Sequence, residues 1–147
     1  MTIDAEQRAL LPQPGFSPQT ASYWLAAGRG ELVVQRCDSC GTDRWPIAEA
    51  CFNCQSTGST WTALPGTAKV FSFTWADFPP LPGGEERNIT VVELDGTQGD
   101  HPVRMISWVA DIARDDLVCD LPVEVTFLPV DDEVSVPAWR PRRSARA

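Results

Sequence analysis

A single lysine, a single histidine and a single tyrosine stand in this chain of 147 residues. The side chains most often used as general base or Schiff-base amine are therefore reduced to Lys69 and His101. His101 lies in the turn DGTQGDHP, where a solvated histidine is expected, and nothing near Lys69 suggests amine chemistry. Glycine-rich phosphate loops, a nucleophile elbow and a helical metal-hydrolase motif are absent. The acidic residues are spread without a convincing pair for acid–base work, so no catalytic residue is assigned. Long apolar runs are missing too, none approaching the roughly 20 residues of a membrane span. The start, MTIDAEQRALLPQPGF, lacks the basic-then-apolar pattern of a signal peptide. The expectation is a cytoplasmic protein with no membrane attachment, where cysteine pairs more often hold metal than form disulfides.

Positive charge is scarce and displaced. The formal net charge is −8, yet Arg140, Arg142, Arg143 and Arg146 all fall in the last eight positions. The first 139 residues carry eight basic against twenty acidic side chains. Such a body repels phosphate backbones and lacks the electrostatic footprint of a nucleic-acid-binding domain. The arginine-rich end, residues 140–147, reads as a short polar tail.

What is abundant is cysteine, and four of the five residues fall in one stretch, CDSCGTDRWPIAEACFNCQ. Cys37, Cys40, Cys51 and Cys54 form two Cys-x-x-Cys pairs separated by ten residues. Four thiolates from two knuckles close a tetrahedral shell around zinc and leave no position for water or substrate. Such a site is structural, and metal ligation supplies on the order of 10–16 kcal/mol to a unit too small to fold on its own core. Gly41, directly after the first pair, suits a knuckle turn with positive φ. The same four ligands would suit iron in a rubredoxin-like electron carrier. Cys119 lies far from the cage in sequence and is expected to be a small buried or half-buried residue.

Periodicity gives the rest. Ser17-Pro18 starts a helix over 18–27, with Ser as N-cap, Pro at the first position, and Gly28 and Gly30 at its end. A strand is expected over 31–36, a short extended piece at 44–46 and another strand at 61–64, the layout of a zinc ribbon. GTAKVFSFTWADF then alternates, with Val70, Ser72 and Thr74 on one side and Phe71, Phe73 and Trp75 on the other. After the loop PPLPGG, strands are expected over 88–94, 103–108, 122–128 and 134–138. The fold class is mainly β: an N-terminal helix, a rubredoxin-like zinc ribbon and a five-stranded OB-fold barrel. The corresponding division is 1–30 leader and helix, 31–64 ribbon, 65–139 barrel and 140–147 tail.

Aromatic residues exceed what so small a protein needs internally. Tyr23 and Trp24 on the helix, Trp45 in the ribbon, and Trp75 and Phe78 beside the proline-rich loop are the candidates for a protein contact, since aromatics dominate interface energetics. A helix with no second helix to pack on points the same way.

The ordered set SYWLAAGRGELVVQRC, CDSCG…CFNC, WTALPGTAKVFSFTW, VVELDG and DDLVCDLPVEVTFLPVDDEVSVPAWRP resembles the domain of unknown function 35 family over about residues 17–141. The family pairs a rubredoxin-like ribbon with an OB fold. Two places depart from its pattern: Asp120 stands where glycine is usual, and TQGDHP looks like extra loop at the barrel rim. The resemblance implies a non-catalytic subunit, held together by structural zinc, that binds a thiolase-superfamily enzyme acting on acyl-CoA thioesters. It further implies a heterotetramer around a thiolase-like dimer, contact with the CoA thioester, and retro-aldol cleavage of a steroid side-chain CoA thioester as the complex's reaction. A thiolase or acyltransferase partner is the alternative. A module for single-stranded nucleic acid is the distant one, because the basic groove it needs is missing.

Overall fold

The computed structural model describes Gly15, Ser17–Ala76 and Arg87–Arg143. Its elements are helix α1 (Ala21–Gly28) and strands β1 (Val33–Cys37), β2 (Asp43–Arg44), β3 (Ser59–Ala63), β4 (Thr67–Ala76), β5 (Arg87–Leu94), β6 (Arg104–Ser107), β7 (Pro122–Pro129) and β8 (Ser135–Pro141). A 3-10 turn, Arg114–Asp116, interrupts the connection from β6 to β7. No described helix is long and apolar enough to cross a membrane.

Regular helix begins three residues later than the sequence suggests, but Ser17 still organises its start. The Ser17 Oγ accepts the Thr20 N–H at 3.2 Å and the Thr20 Oγ1 accepts the Ser17 N–H at 2.9 Å, a reciprocal cap. Tyr23, Ala26 and Ala27 are buried, and α1 lies against β8 and the β7–β8 turn. Gly28 makes that fit possible: a Cβ there would run into the Glu133 carbonyl oxygen. The helix thus packs on strands of its own chain, with no second α-helix among the described residues.

Two antiparallel sheets follow. The ribbon sheet has the order β2-β1-β3, and the larger sheet the order β6-β5-β4-β7-β8. A parallel bridge between Val109 and Trp139 joins the ends of the larger sheet, curling it into a partly closed barrel of the expected class. Asn88 fixes this closure from inside. Its buried amide donates to the Val109 carbonyl and accepts the Val109 N–H, both at 2.8 Å. Trp139 is fully buried beside them, so its truncation to alanine would cost about 3–5 kcal/mol. Helix, ribbon and barrel share one apolar core: Tyr23, Val33 and Val34 pack with Val70, Val92, Met105 and Trp139.

The alternation read along β4 breaks in the middle. Val70 pairs with Val92 and Ser72 with Val91, so Phe71 is the extra residue of a β-bulge. The bulge reverses the phase. Ala68 and Val70 face the core before it, Phe73 and Trp75 pack on the core after it, and Phe71 faces outward. Phe71 therefore does not share a face with Phe73 and Trp75. β8 also runs to Pro141, and Arg140 pairs with Glu124 at 2.8 Å, so this arginine belongs to the sheet rather than to a free tail.

Candidate metal centre

The two cysteine pairs sit on two knuckles built alike. In the first, the Cys37 N–H donates to the Thr42 carbonyl and the Gly41 N–H to the Cys37 carbonyl, at 3.0 and 2.9 Å. In the second, the Cys51 N–H donates to the Ser56 carbonyl and the Gln55 N–H to the Cys51 carbonyl, at 2.8 and 2.9 Å. Each knuckle turns on a left-handed residue directly after its second cysteine. Gly41 takes φ 73° in the first, as the sequence suggests, and Gln55 takes φ 63° in the second. A left-handed glutamine gives no compositional signal. The cost it carries is one the cage must over-determine.

The knuckles bring Cys37, Cys40, Cys51 and Cys54 together, all four Sγ atoms lying within 4.8 Å of one another. Cys37 and Cys54 are 3.6 Å apart and Cys40 and Cys51 3.7 Å, with no disulfide among them. Zinc–thiolate bonds of about 2.3 Å in a tetrahedron place sulfurs about 3.8 Å apart, so the cage fits the ion. Cys37 and Cys51 form the buried half of the cage, and Cys40 and Cys54 the exposed half.

Neighbouring groups prepare the sulfurs unequally. The Thr42 hydroxyl, 3.3 Å from the Cys40 Sγ, heads the interactions that lower this thiol to about 6. For Cys54 the Ser56 backbone favours the thiolate, but the adjacent sulfurs of Cys37 and Cys40 outweigh it and push the thiol up to about 12. Four thiolates at this spacing need a cation among them.

Asp43, next along from Thr42, has a side chain with no solvent exposure. It receives the Arg36 guanidinium through two bonds of 2.8 and 2.9 Å, and the hydrogen bond raises the arginine pKa further. It also accepts the Gln98 N–H at 2.8 Å. Gln98 lies in the TQGDHP segment, so the apparent extra loop rests on the ribbon, with Gly99 close against Thr42. Arg44 is buried as well, its Nη2 donating to the Ala48 carbonyl at 3.2 Å. Sequence reading passed over Asp43 and Arg44, because charged residues are expected outside.

The aromatic candidates turn inward. Tyr23 is a core residue, its hydroxyl 3.9 Å from the Met105 Sδ, and burial pushes its pKa up to about 12. It is corrected from a contact residue to a packing residue: it meets the Trp24 ring edge-on at 4.9 Å and cannot touch a partner directly. Trp24, Trp45 and Trp75 are half-buried against the core. The indole nitrogens of Trp24 and Trp75 point into buried space with no acceptor among the described residues. Phe78 lies outside the described residues. His101 is exposed, as expected. Cys119 is exposed rather than buried, because the turn it enters is carried at the surface by Asp120 at φ 64°. Asp120 thereby takes the left-handed position in which glycine is usual.

A four-cysteine ribbon packed on an OB-type barrel, with no catalytic grouping among the described residues, defines a zinc ribbon–OB-fold protein. Family models agree: residues 24–59 match the ChsH2 rubredoxin-like zinc ribbon domain and residues 61–128 the ChsH2 C-terminal OB-fold domain. The chain belongs to this ChsH2-type family of zinc ribbon–OB-fold (DUF35) proteins. A chain of the Ltp2-ChsH2(DUF35) aldolase is 31% identical at a TM-score of 0.75, the match covering 88% of this chain and 98% of that one. A DUF35-family protein of unknown function from Sulfolobus solfataricus shares the fold at 11% identity, with a TM-score of 0.58 over 86% of this chain and 87% of that one. A probable enoyl-CoA hydratase alpha subunit from Thermomonospora curvata is 32% identical over 139 residues, 94% of this chain. The chain spans 42% of that relative's length.

Proposed function

We propose that this protein is the non-catalytic subunit of an acyl-CoA-processing complex, binding and stabilising a thiolase-like enzyme of the lipid-transfer-protein type. The observation that carries the reading is its likeness along nearly its whole length to the ChsH2 component of a two-component aldolase. The metal centre agrees with it, since a closed four-thiolate shell around zinc stabilises a fold and offers no site for chemistry. The reaction of the complex is retro-aldol cleavage of a steroid side-chain CoA thioester, in a cytoplasmic heterotetramer around a thiolase-like dimer, with the CoA thioester touching this subunit. The likeness to a hydratase subunit favours a second reading only for the acyl-CoA class, not for the bond cleaved.

Co-expression with the thiolase-like protein expected to be encoded beside it, followed by size-exclusion chromatography and metal analysis, tests this reading. A stable complex with about one zinc per small subunit, active in releasing a ketone from a steroid acyl-CoA, is expected. A monomer indifferent to that neighbour would sink it.

A further inference from the structure

The two knuckles of the cage match in backbone but not in what their side chains do. Thr42 and Ser56 hold equivalent places, two residues after the second cysteine of each pair, and each carbonyl accepts the N–H of its knuckle's first cysteine. Ser56 directs its hydroxyl away from the sulfurs, to the Ser39 Oγ at 2.8 Å. Thr42 turns its hydroxyl to the metal centre, with Oγ1 3.3 Å from the Cys40 Sγ. The other exposed sulfur, that of Cys54, has no side-chain hydroxyl or amide beside it among the described residues.

The direction of the Thr42–Cys40 contact is fixed once metal is bound, because a ligand sulfur then carries no proton and can only accept. The Asn53 Nδ2 donates to the Thr42 Oγ1 at 3.3 Å, which leaves the hydroxyl's own hydrogen for the sulfur. The same Asn53 amide lies 3.7 Å from the Cys40 Sγ, closing a triangle of sulfur, hydroxyl and amide. Hydrogen bonds to an ionised acceptor are the stronger kind, and outer-shell donors orient a ligand and tune its hold on the metal.

Thr42 is itself held from behind by the barrel. It is 7% exposed, and a Cβ on Gly99 would come within 3.1 Å of its Cγ2, so the bare glycine backbone of the β5–β6 loop lies against its methyl group. Gln98, one residue earlier, accepts the Asp43 N–H and donates to the Asp43 carboxylate, both at 2.8 Å. We propose that Thr42 is a positioning residue of the metal centre. Its hydroxyl, oriented by Asn53 and backed by the Gln98–Gly99 loop, donates to the Cys40 thiolate and keeps this exposed ligand on the ion. The barrel rim thereby sets how tightly the ribbon holds its metal.

The test uses the full-length chain loaded with zinc or, for spectroscopy, with cobalt(II). Competition against a chromophoric chelator at fixed pH reads the zinc affinity, and the thiolate-to-cobalt charge-transfer bands report on the sulfurs. Thr42→Val, which keeps the shape and loses the hydroxyl, should bind zinc about tenfold more weakly. Its bands should move to longer wavelength, because a thiolate without its donor releases electron density more easily, whereas loss of packing alone would not shift them. Thr42→Ser and Ser56→Ala should stay within about threefold of wild type, with unmoved bands. Gly99→Ala, strained at φ 131° and crowded against Thr42, should displace the loop and lower the affinity in the same direction. Should Thr42→Val fail to fold, Asn53→Ala, at an exposed position, carries the same comparison. Wild-type affinity and bands in Thr42→Val overturn the proposal, as do weaker binding with unmoved bands and an equal loss in Ser56→Ala. A Gly99→Ala chain indistinguishable from wild type overturns the loop's share in it.

Discussion

Asp43 in the ribbon and Gln98 in the β5–β6 loop exchange two hydrogen bonds of 2.8 Å, one from each backbone N–H. The Asp43 carboxylate serves Arg36 at the same time, so one buried acid joins a ribbon strand, a knuckle and the barrel rim.

Asp43→Ala should therefore cost about 1–3 kcal/mol, since it leaves the Gln98 N–H without its acceptor while Arg36, 27% exposed, can turn to water. Asp43→Asn should cost less, because it keeps an acceptor for the Gln98 N–H. Urea unfolding measures both, and equal stability of Asp43→Ala and wild type would contradict the strut.

Cys51→Ser should lose the metal and unfold the ribbon, while a chelator should reproduce the effect in the wild type. Metal analysis with amide hydrogen exchange over residues 33–63 reads this directly. Because the core is shared, protection in β5 and β6 should fall as well.

Gly28→Ala should destabilise by about 1–3 kcal/mol, the range for overpacking. The added methyl meets the Glu133 backbone, which cannot swing aside as a side chain would. Thermal melts should show the loss, and β7–β8 turn resonances should shift.

Glu93 gives a pH signature. Its pKa lies below the usual carboxylate range, held there by the Arg104 hydrogen bond and then by Lys69. A depressed folded-state pKa means stability that is complete above the unfolded value near 4.3 and lost as pH falls through the folded one. Glu93→Gln should cost about 0.5–1 kcal/mol at pH 7 in low salt, the range of an exposed pair, and the difference should vanish in acid. Melting curves from pH 7 to pH 3 check the sign.

Local signals carried much of this structure. The cysteine spacing located the cage, the serine-proline pair placed the start of α1 to within three residues, and glycine and proline punctuation separated the five barrel strands. What escaped depends on contacts distant in sequence. The Phe71 bulge leaves composition untouched while reversing every side chain after it. Asp43 and Arg44 read as surface charges because their partners, Gln98 and the Ala48 carbonyl, are not announced nearby. The aromatics of α1 and β4 read as surplus because counting cannot reveal that one core serves helix, ribbon and barrel together.

That shared core bears on any association the protein enters. Helix, ribbon and barrel are already immobilised against one another, by apolar packing, by the Asp43–Gln98 strut and by Gly28 against the β7–β8 turn. A surface carried on such a body surrenders little internal freedom on meeting another molecule, so more of the contact energy survives as affinity. The cage of four sulfurs would then act at a distance: by stiffening one end of the molecule it lowers the entropic toll of recognition at the other.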